Sequence, residues 1–157
     1  MNALFTIDDG TREYTLANQY GQEICRLHFR PNDISLYDRY LAMRDKFTEI
    51  VKPLEQIGIN ADGTASAEEG LAILKETETA FRAQLRELLD SDDADAAFEK
   101  RNPFSSVGGR FFCAIVTDAI GKMIEAAYAE EAKATAEKTA QYIEEEGNDA
   151  GQTAANA

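Results

Sequence analysis

The sequence is poor in the residues from which most small catalytic and metal centres are built. Its 157 residues hold no tryptophan, one histidine (His28) and two cysteines (Cys25 and Cys113). Structural zinc takes four nitrogen or sulfur ligands, and one imidazole with two thiols does not supply them. Two thiols in a chain long enough to bury a core make no disulfide framework. Both are flanked by apolar residues, so reduced, buried thiols are expected. No apolar run approaches the roughly 18 residues that a membrane span needs. The stretch Met1–Asp9 has no basic segment leading into an apolar one, so no secretory signal is expected and the cytoplasm is the expected address.

Basic side chains are scarce as well. Lys and Arg number 16 against 29 Asp and Glu, a net charge of −13. Residues 1–60 carry 9 acidic and 7 basic side chains, and residues 61–157 carry 20 and 9. Nucleic-acid binding rests on Lys and Arg neutralising phosphates, so direct nucleic-acid contact is not expected, and anionic membranes are disfavoured for the same reason. The acidic excess reads as charge that keeps a protein dispersed. An acidic face for a basic partner, or mimicry of nucleic acid, is the alternative.

What is present is a strand-rich opening followed by long helical patterns. Leu4-Phe5-Thr6-Ile7, Arg12-Glu13-Tyr14-Thr15-Leu16 and Glu23 to Phe29 read as strands, with Asp9-Gly10 as a hairpin signal between the first two. In the third run Cys25, Leu27 and Phe29 share one face, and Ile24, Arg26 and His28 the other. Residues 1–30 are therefore expected to form a hairpin plus a third strand. Asn32 or Asp33 caps the next helix, 33–57. In it Leu36, Tyr40, Met43, Phe47, Ile50, Leu54 and Ile57 recur at steps of four and three, and Pro53 is expected to kink or end it.

After a loop at 58–65, Ser66 and Glu69 read as a capping box for a helix over 66–90. Leu71, Leu74, Phe81, Leu85 and Leu88 form its stripe, interrupted by Glu78, which is expected to reach out to solvent or to have the stripe roll around it. Ser91 is expected to cap a short helix ending near Phe98. Ser105 or Ser106 caps a third helix, 106–146, with Phe111, Phe112, Ile115, Val116, Ile120, Met123 and Ile124 on its apolar side. Residues 147–157 are small and polar and are expected to be a disordered tail. The expected fold is α+β and mostly helical, with a small N-terminal antiparallel β-sheet packed on two or three long helices in a single domain, 1–146.

Catalytic and metal patterns fail one after another. Cys25 and His28 lie on opposite strand faces and cannot share an ion. Asp90, Asp92, Asp93 and Asp95 do not meet the glycine and twelfth-position requirements of an EF-hand loop in either register, and read as a solvated acidic helix start. Gly108-Gly109-Arg110 lacks the Lys-Ser/Thr of a P-loop. It reads as a close-packed helix opening, with Arg110 free for a carboxylate or phosphate. No enzyme activity, metal or cofactor is expected.

The segment Phe29-Arg30-Pro31-Asn32-Asp33-Ile34-Ser35-Leu36-Tyr37-Asp38-Arg39 resembles a recurring element in small proteins of tailed bacteriophages and prophages of Gram-positive gut bacteria. Leu88-Leu89-Asp90, Ala97-Phe98-Glu99, Asn102-Pro103-Phe104 and Gly108-Gly109-Arg110 look like the middle region of the same family, the tail assembly chaperones. The resemblance implies a non-catalytic protein that binds helical segments of the tape-measure protein during virion morphogenesis in the host cytoplasm. A wide aromatic and methionine stripe suits such groove-type packing. The contact residues to test are Tyr40, Met43 and Phe47 on the first helix, and Phe104, Arg110 and Phe111 before and at the start of the third. The layout is also compatible with a homo-oligomer. Two rival readings are a structural virion component, such as a head–tail connector or tail terminator, and an acidic inhibitor that mimics nucleic acid.

Overall fold

The computed structural model describes residues 2–59 and 67–155, with side chains for 2–54 and 68–144. The fold is mostly helical α+β: an N-terminal two-stranded antiparallel hairpin and three helices, the last one long. Strand β1 (Arg12–Ala17) pairs with β2 (Glu23–Phe29), setting Tyr14 opposite Leu27 and Leu16 opposite Cys25. The turn between them is built by Asn18. Its main-chain N–H donates to the Gln22 carbonyl (2.9 Å), and its side-chain oxygen accepts from the N–H groups of Tyr20 and Gln22. Gly21 takes the positive φ of 79° that this closure requires.

The expected first strand at Leu4–Ile7 is not formed, and Asp9-Gly10 does not join two strands; the sheet has two strands, not three. The Asp8 and Asp9 carboxylates instead accept the N–H groups of Gly10 and Thr11, each at 2.9 Å, and Arg12 pairs back to Asp8. These local bonds compete with a ladder. The alternation along β2 holds: Cys25, Leu27 and Phe29 are buried, while Arg26 and His28 face solvent.

Helix α1 (Ile34–Ile59) starts at Asp33, whose carboxylate accepts the Ser35 N–H and hydroxyl. Those bonds hold the Asp33 carboxyl below its usual range, helped by Arg39 and Arg30. The helix does not end at Pro53 but runs on to Ile59. Pro53 sits on the exposed side, where water can take the carbonyl it strands, and Leu54 still packs on the core. The expected turn over 60–65 and the Ser66 cap lie outside the described residues.

Helix α2 (Ala67–Leu89) is antiparallel to α1, since Arg39 Nε donates to the Leu88 carbonyl (3.1 Å) and Phe47 meets Phe81 (6.3 Å between ring centres). Asp90 closes α2 in the left-handed region (φ 49°), with its N–H on the Arg86 carbonyl. The short helix near Phe98 is a single 3-10 turn, Ala96–Phe98. Ser91 does not cap it, because its hydroxyl bonds to Asp93 (2.6 Å).

The third helix begins later than residue 106. Residues Ser106–Val107 (β3) and Arg110–Phe111 (β4) form a tiny hairpin around Gly108 and Gly109, at φ 60° and 82°. Two successive positive φ values are what a two-residue loop matching strand twist needs. Gly108-Gly109-Arg110 is thus a hairpin turn and not a helix opening. Helix α3 (Phe112–Ala155) has its first amides satisfied by main chain and not by a serine: Phe112 N–H donates to the Ser105 carbonyl and Cys113 N–H to that of Pro103. It continues as helix to Ala155, through most of the segment expected to be a tail.

The core lies where the three helices and the inner sheet face meet. Leu36 and Met43 of α1, Phe81, Leu85 and Leu88 of α2, and Cys113, Val116, Ile120 and Ile124 of α3 are buried there with Leu27 and Phe29. Phe81 is its centre, with ring contacts to Phe47, Phe98 (5.5 Å) and Phe104 (6.2 Å).

Candidate functional site

Helix α3 runs antiparallel to α1: Phe47 faces Ala114, Tyr40 faces Gly121 and Tyr37 faces Tyr128. At Gly121 the two helices touch. A Cβ built there would lie 2.8 Å from Cζ of Tyr40 and closer still to its hydroxyl oxygen. On either side of that contact the helices part into a groove. Between Tyr40, Met43, Phe47 and Ala114 the cavity holds about 80 Å³. Toward the α1 N-terminus it opens to about 330 Å³ beside Tyr37, Ile124 and Tyr128. Beside Asn32 and Ile34 it becomes a trough of about 520 Å³ lined on α3 by Tyr128, Glu131, Ala132, Thr135 and Ala136.

The trough exists because α1 is shorter than the stripe it covers. Ala114, Thr117, Gly121, Ile124 and Tyr128 recur at steps of three and four, placing them on one side of α3. The same spacing continues through Ala132 and Thr135 beside Ile34, the first residue of α1, and on through Thr139 and Tyr142. Every residue from Tyr128 to Glu144 is exposed, including Tyr142 and Ile143 at 64% and 63%. At about 1.5 Å per residue that stretch is roughly 25 Å long, and as far as Ala136 it runs beside Asn32 and Ile34. Glu130, Glu137 and Glu144, seven apart, fall on the side of α3 opposite the stripe.

The structure brings the six sequence-nominated residues to one side of the molecule but gives most of them packing roles. Met43 and Phe104 are buried core residues. Tyr40 and Phe47 are half-buried groove walls, and burial with the nearby Asp118 raises the Tyr40 pKa. Phe111 stacks edge-on against Phe104 (5.5 Å). Arg110 is exposed and pairs with Asp118 on the groove rim, so it is not a free phosphate contact. The groove residues not nominated from the sequence are Ile34, Tyr37, Tyr128, Ala132 and Thr135, although Tyr37 and Tyr128 fall on the apolar sides expected for their helices. Their three-and-four spacing is the signal that could have found the α3 part.

In the acidic run at 90–95, Asp90 and Asp92 are exposed as expected, but Asp93 and Asp95 are drawn into the fold. Asp95 is buried and receives Arg82 (3.3 Å) and Arg86 (2.9 Å). Arg82 also donates to Glu78 and to the Phe98 carbonyl and lies over the Phe98 ring. Glu78 is therefore drawn along its helix to Arg82, half-buried, and does not reach into solvent. Asp93 accepts both the His28 main-chain N–H (3.1 Å) and the ring Nδ1 side (2.6 Å), while Nε2 faces Glu13 at 2.8 Å. The 90–98 segment is thereby stapled to β2 and α2.

No protein family, no curated protein and no solved structure matches this chain. Its chemistry must therefore be read from the site alone. Burial raises both thiols, Cys113 to about 12, so neither supplies a thiolate nucleophile near neutral pH. Among the described residues no group of three His, Cys, Asp or Glu side chains could hold a metal ion. Glu13 and Asp93 lie on opposite nitrogens of His28, so they cannot converge on one ion with it. Among the described residues no helix is long and apolar enough to cross a membrane.

The His28 clasp gives a pH prediction. Bonds to Asp93 and then Glu13 raise the His28 pKa above 6.5, and bonds to Ser91 and His28 lower that of Asp93 against the opposing effect of its burial. A raised His contributes stability that is full below about 6.5 and is lost as pH climbs through the folded value. A lowered Asp contributes above about 3.8 and loses it as pH falls through the folded value. The clasp is therefore strongest between those limits. An NMR titration should place the His28 midpoint above 6.5 in the native chain and lower in Asp93→Asn; equal midpoints would remove Asp93 as the cause.

Proposed function

We propose that this protein is a non-catalytic, helix-binding chaperone that seats an amphipathic helix of a partner along α3. The observation that carries this reading is the continuation of the α1-facing stripe past Ile34, the first residue of α1, from Ala132 to Tyr142, with every residue of that stretch exposed. A partner helix laid end-to-end beyond Ile34 meets a surface of the same spacing that α1 meets, with small residues allowing close approach and Tyr128 and Tyr142 as large knobs. Groove binding of an amphipathic helix works through such i, i+3, i+4 anchors. The resemblance to tail assembly chaperones supplies the partner: the tape-measure protein, a long helix with exposed apolar stripes that needs cover before assembly. The net charge of −13 would keep that complex dispersed in the host cytoplasm.

The test is co-expression with a tape-measure protein, read as soluble yield and co-elution. The expected result is a soluble, co-migrating pair with the native chain and its loss with Ala132→Arg combined with Thr135→Glu. Those residues are exposed, so the body still folds. An unchanged partner, or rescue that survives the double substitution, would overturn the α3 seat. Salt-sensitive capture of a basic nuclease would favour the acidic mimic.

A further inference from the structure

A second interaction surface lies at the other end of the chain. Leu4, Phe5 and Ile7 are 86–90% exposed, among the least covered large apolar side chains of the described residues. The run Leu4-Phe5-Thr6-Ile7 is aromatic and β-branched and suits a strand. Its junction to β1 is fixed locally: Asp8 and Asp9 use their carboxylates on Gly10 and Thr11, and Arg12 closes on Asp8. The arm is therefore held in solvent and not folded onto its own sheet.

The sheet offers one open edge. On the outer side of β2, the His28 N–H is taken by Asp93, and β2 packs on the 3-10 turn at Ala96–Phe98. On the outer side of β1, no main-chain hydrogen bond arrives among the described residues. Along the inner face at that edge Tyr14 and Leu16 are only half-buried, with Tyr14 stacked on Phe29 (5.1 Å), so the apolar surface runs out to the edge. Unpaired edges of this kind are templates for an added strand.

We infer that residues 2–7 of one copy pair as a third strand with β1 of a second copy, and reciprocally, forming a strand-exchanged two-fold dimer. Phe5 and Ile7, two residues apart, share one face of the added strand and cover Tyr14 and Leu16 of the other copy. Exchange of an identical element is a low-cost route to a symmetric dimer. Edge addition joins main-chain bonds to side-chain pockets.

Light scattering on the full chain at about 200 μM, where an interface of micromolar Kd is filled, tests this. The expected mass is double the 17.3 kDa of one chain. Phe5→Asp and deletion of residues 2–7 should each return it to a single chain with the helical circular dichroism unchanged. In a mixed-label sample, nuclear Overhauser contacts should run from Phe5 of one copy to Tyr14 of the other. A single-chain mass for the native protein, a dimer that survives both variants, or Phe5–Tyr14 contacts confined to one chain would each overturn the inference. Phe5 is not among the residues lining the α1–α3 groove, so Phe5→Asp should leave helix-partner binding by the single chain intact, and the two readings fail separately.

Discussion

Phe81→Ala is expected to lower the unfolding free energy by about 3–5 kcal/mol, the range for removing a large buried aromatic. Phe81 is fully buried and its ring meets Phe47 from α1, Phe98 from the 3-10 turn and Phe104 from the loop before α3. Three elements lose their common contact at once, and backbone movement from one side cannot refill the space. Against a total stability of about 5–15 kcal/mol typical of such domains, this brings the chain close to its unfolding threshold. Urea denaturation checks it: the midpoint should fall with little change in slope. A loss under 1 kcal/mol would mean that the helices do not meet on this ring.

The second large effect is expected at Arg82. Replacing it by Met keeps the apolar stem over Phe98 but removes a donor from Asp95, Glu78 and the Phe98 carbonyl. Asp95 is buried and would keep only Arg86, whose own side chain is more than half exposed. Removing one partner of a buried charge is costlier than the pair is stabilising. With one partner remaining, a loss of about 2–3 kcal/mol is expected. A double-mutant cycle with Asp95→Asn should show coupling of about 0.5–3 kcal/mol. Additive losses would place Arg82 on the surface as a solvated charge.

Both sites show where the sequence was legible and where it was not. The α1 stripe at Leu36, Met43 and Phe47 and the β2 alternation at Cys25, Leu27 and Phe29 were readable, because helical and strand periods are set locally and one face is buried in each. The absence of a first strand at Leu4–Ile7 was not, because Asp8 and Asp9 can serve a hairpin turn or their own neighbours' amides with the same residues. Asp93 and Asp95 looked like solvated acids, since their partners His28, Arg82 and Arg86 are up to 65 residues away. Charge pairing across such distances leaves no periodic trace. The Gly108-Gly109 turn was read as a helix opening because paired glycines fit either, and only their positive φ values separate the two.

The exposed C-terminal part of α3 is the proposed seat of the partner helix. Residues 132–144 continue the seam at helical spacing and are exposed at every position, and helical stability in proteins comes mainly from tertiary cover. Amide hydrogen exchange over this stretch, with and without the tape-measure protein, tests the claim most directly. The account predicts weak protection in the free chain, far below that at Val116 and Ile120, rising strongly along Tyr128, Ala132, Thr135 and Tyr142 when the partner binds. Protection in the bound complex confined to other surfaces, with residues 128–144 exchanging as fast as before, would contradict it.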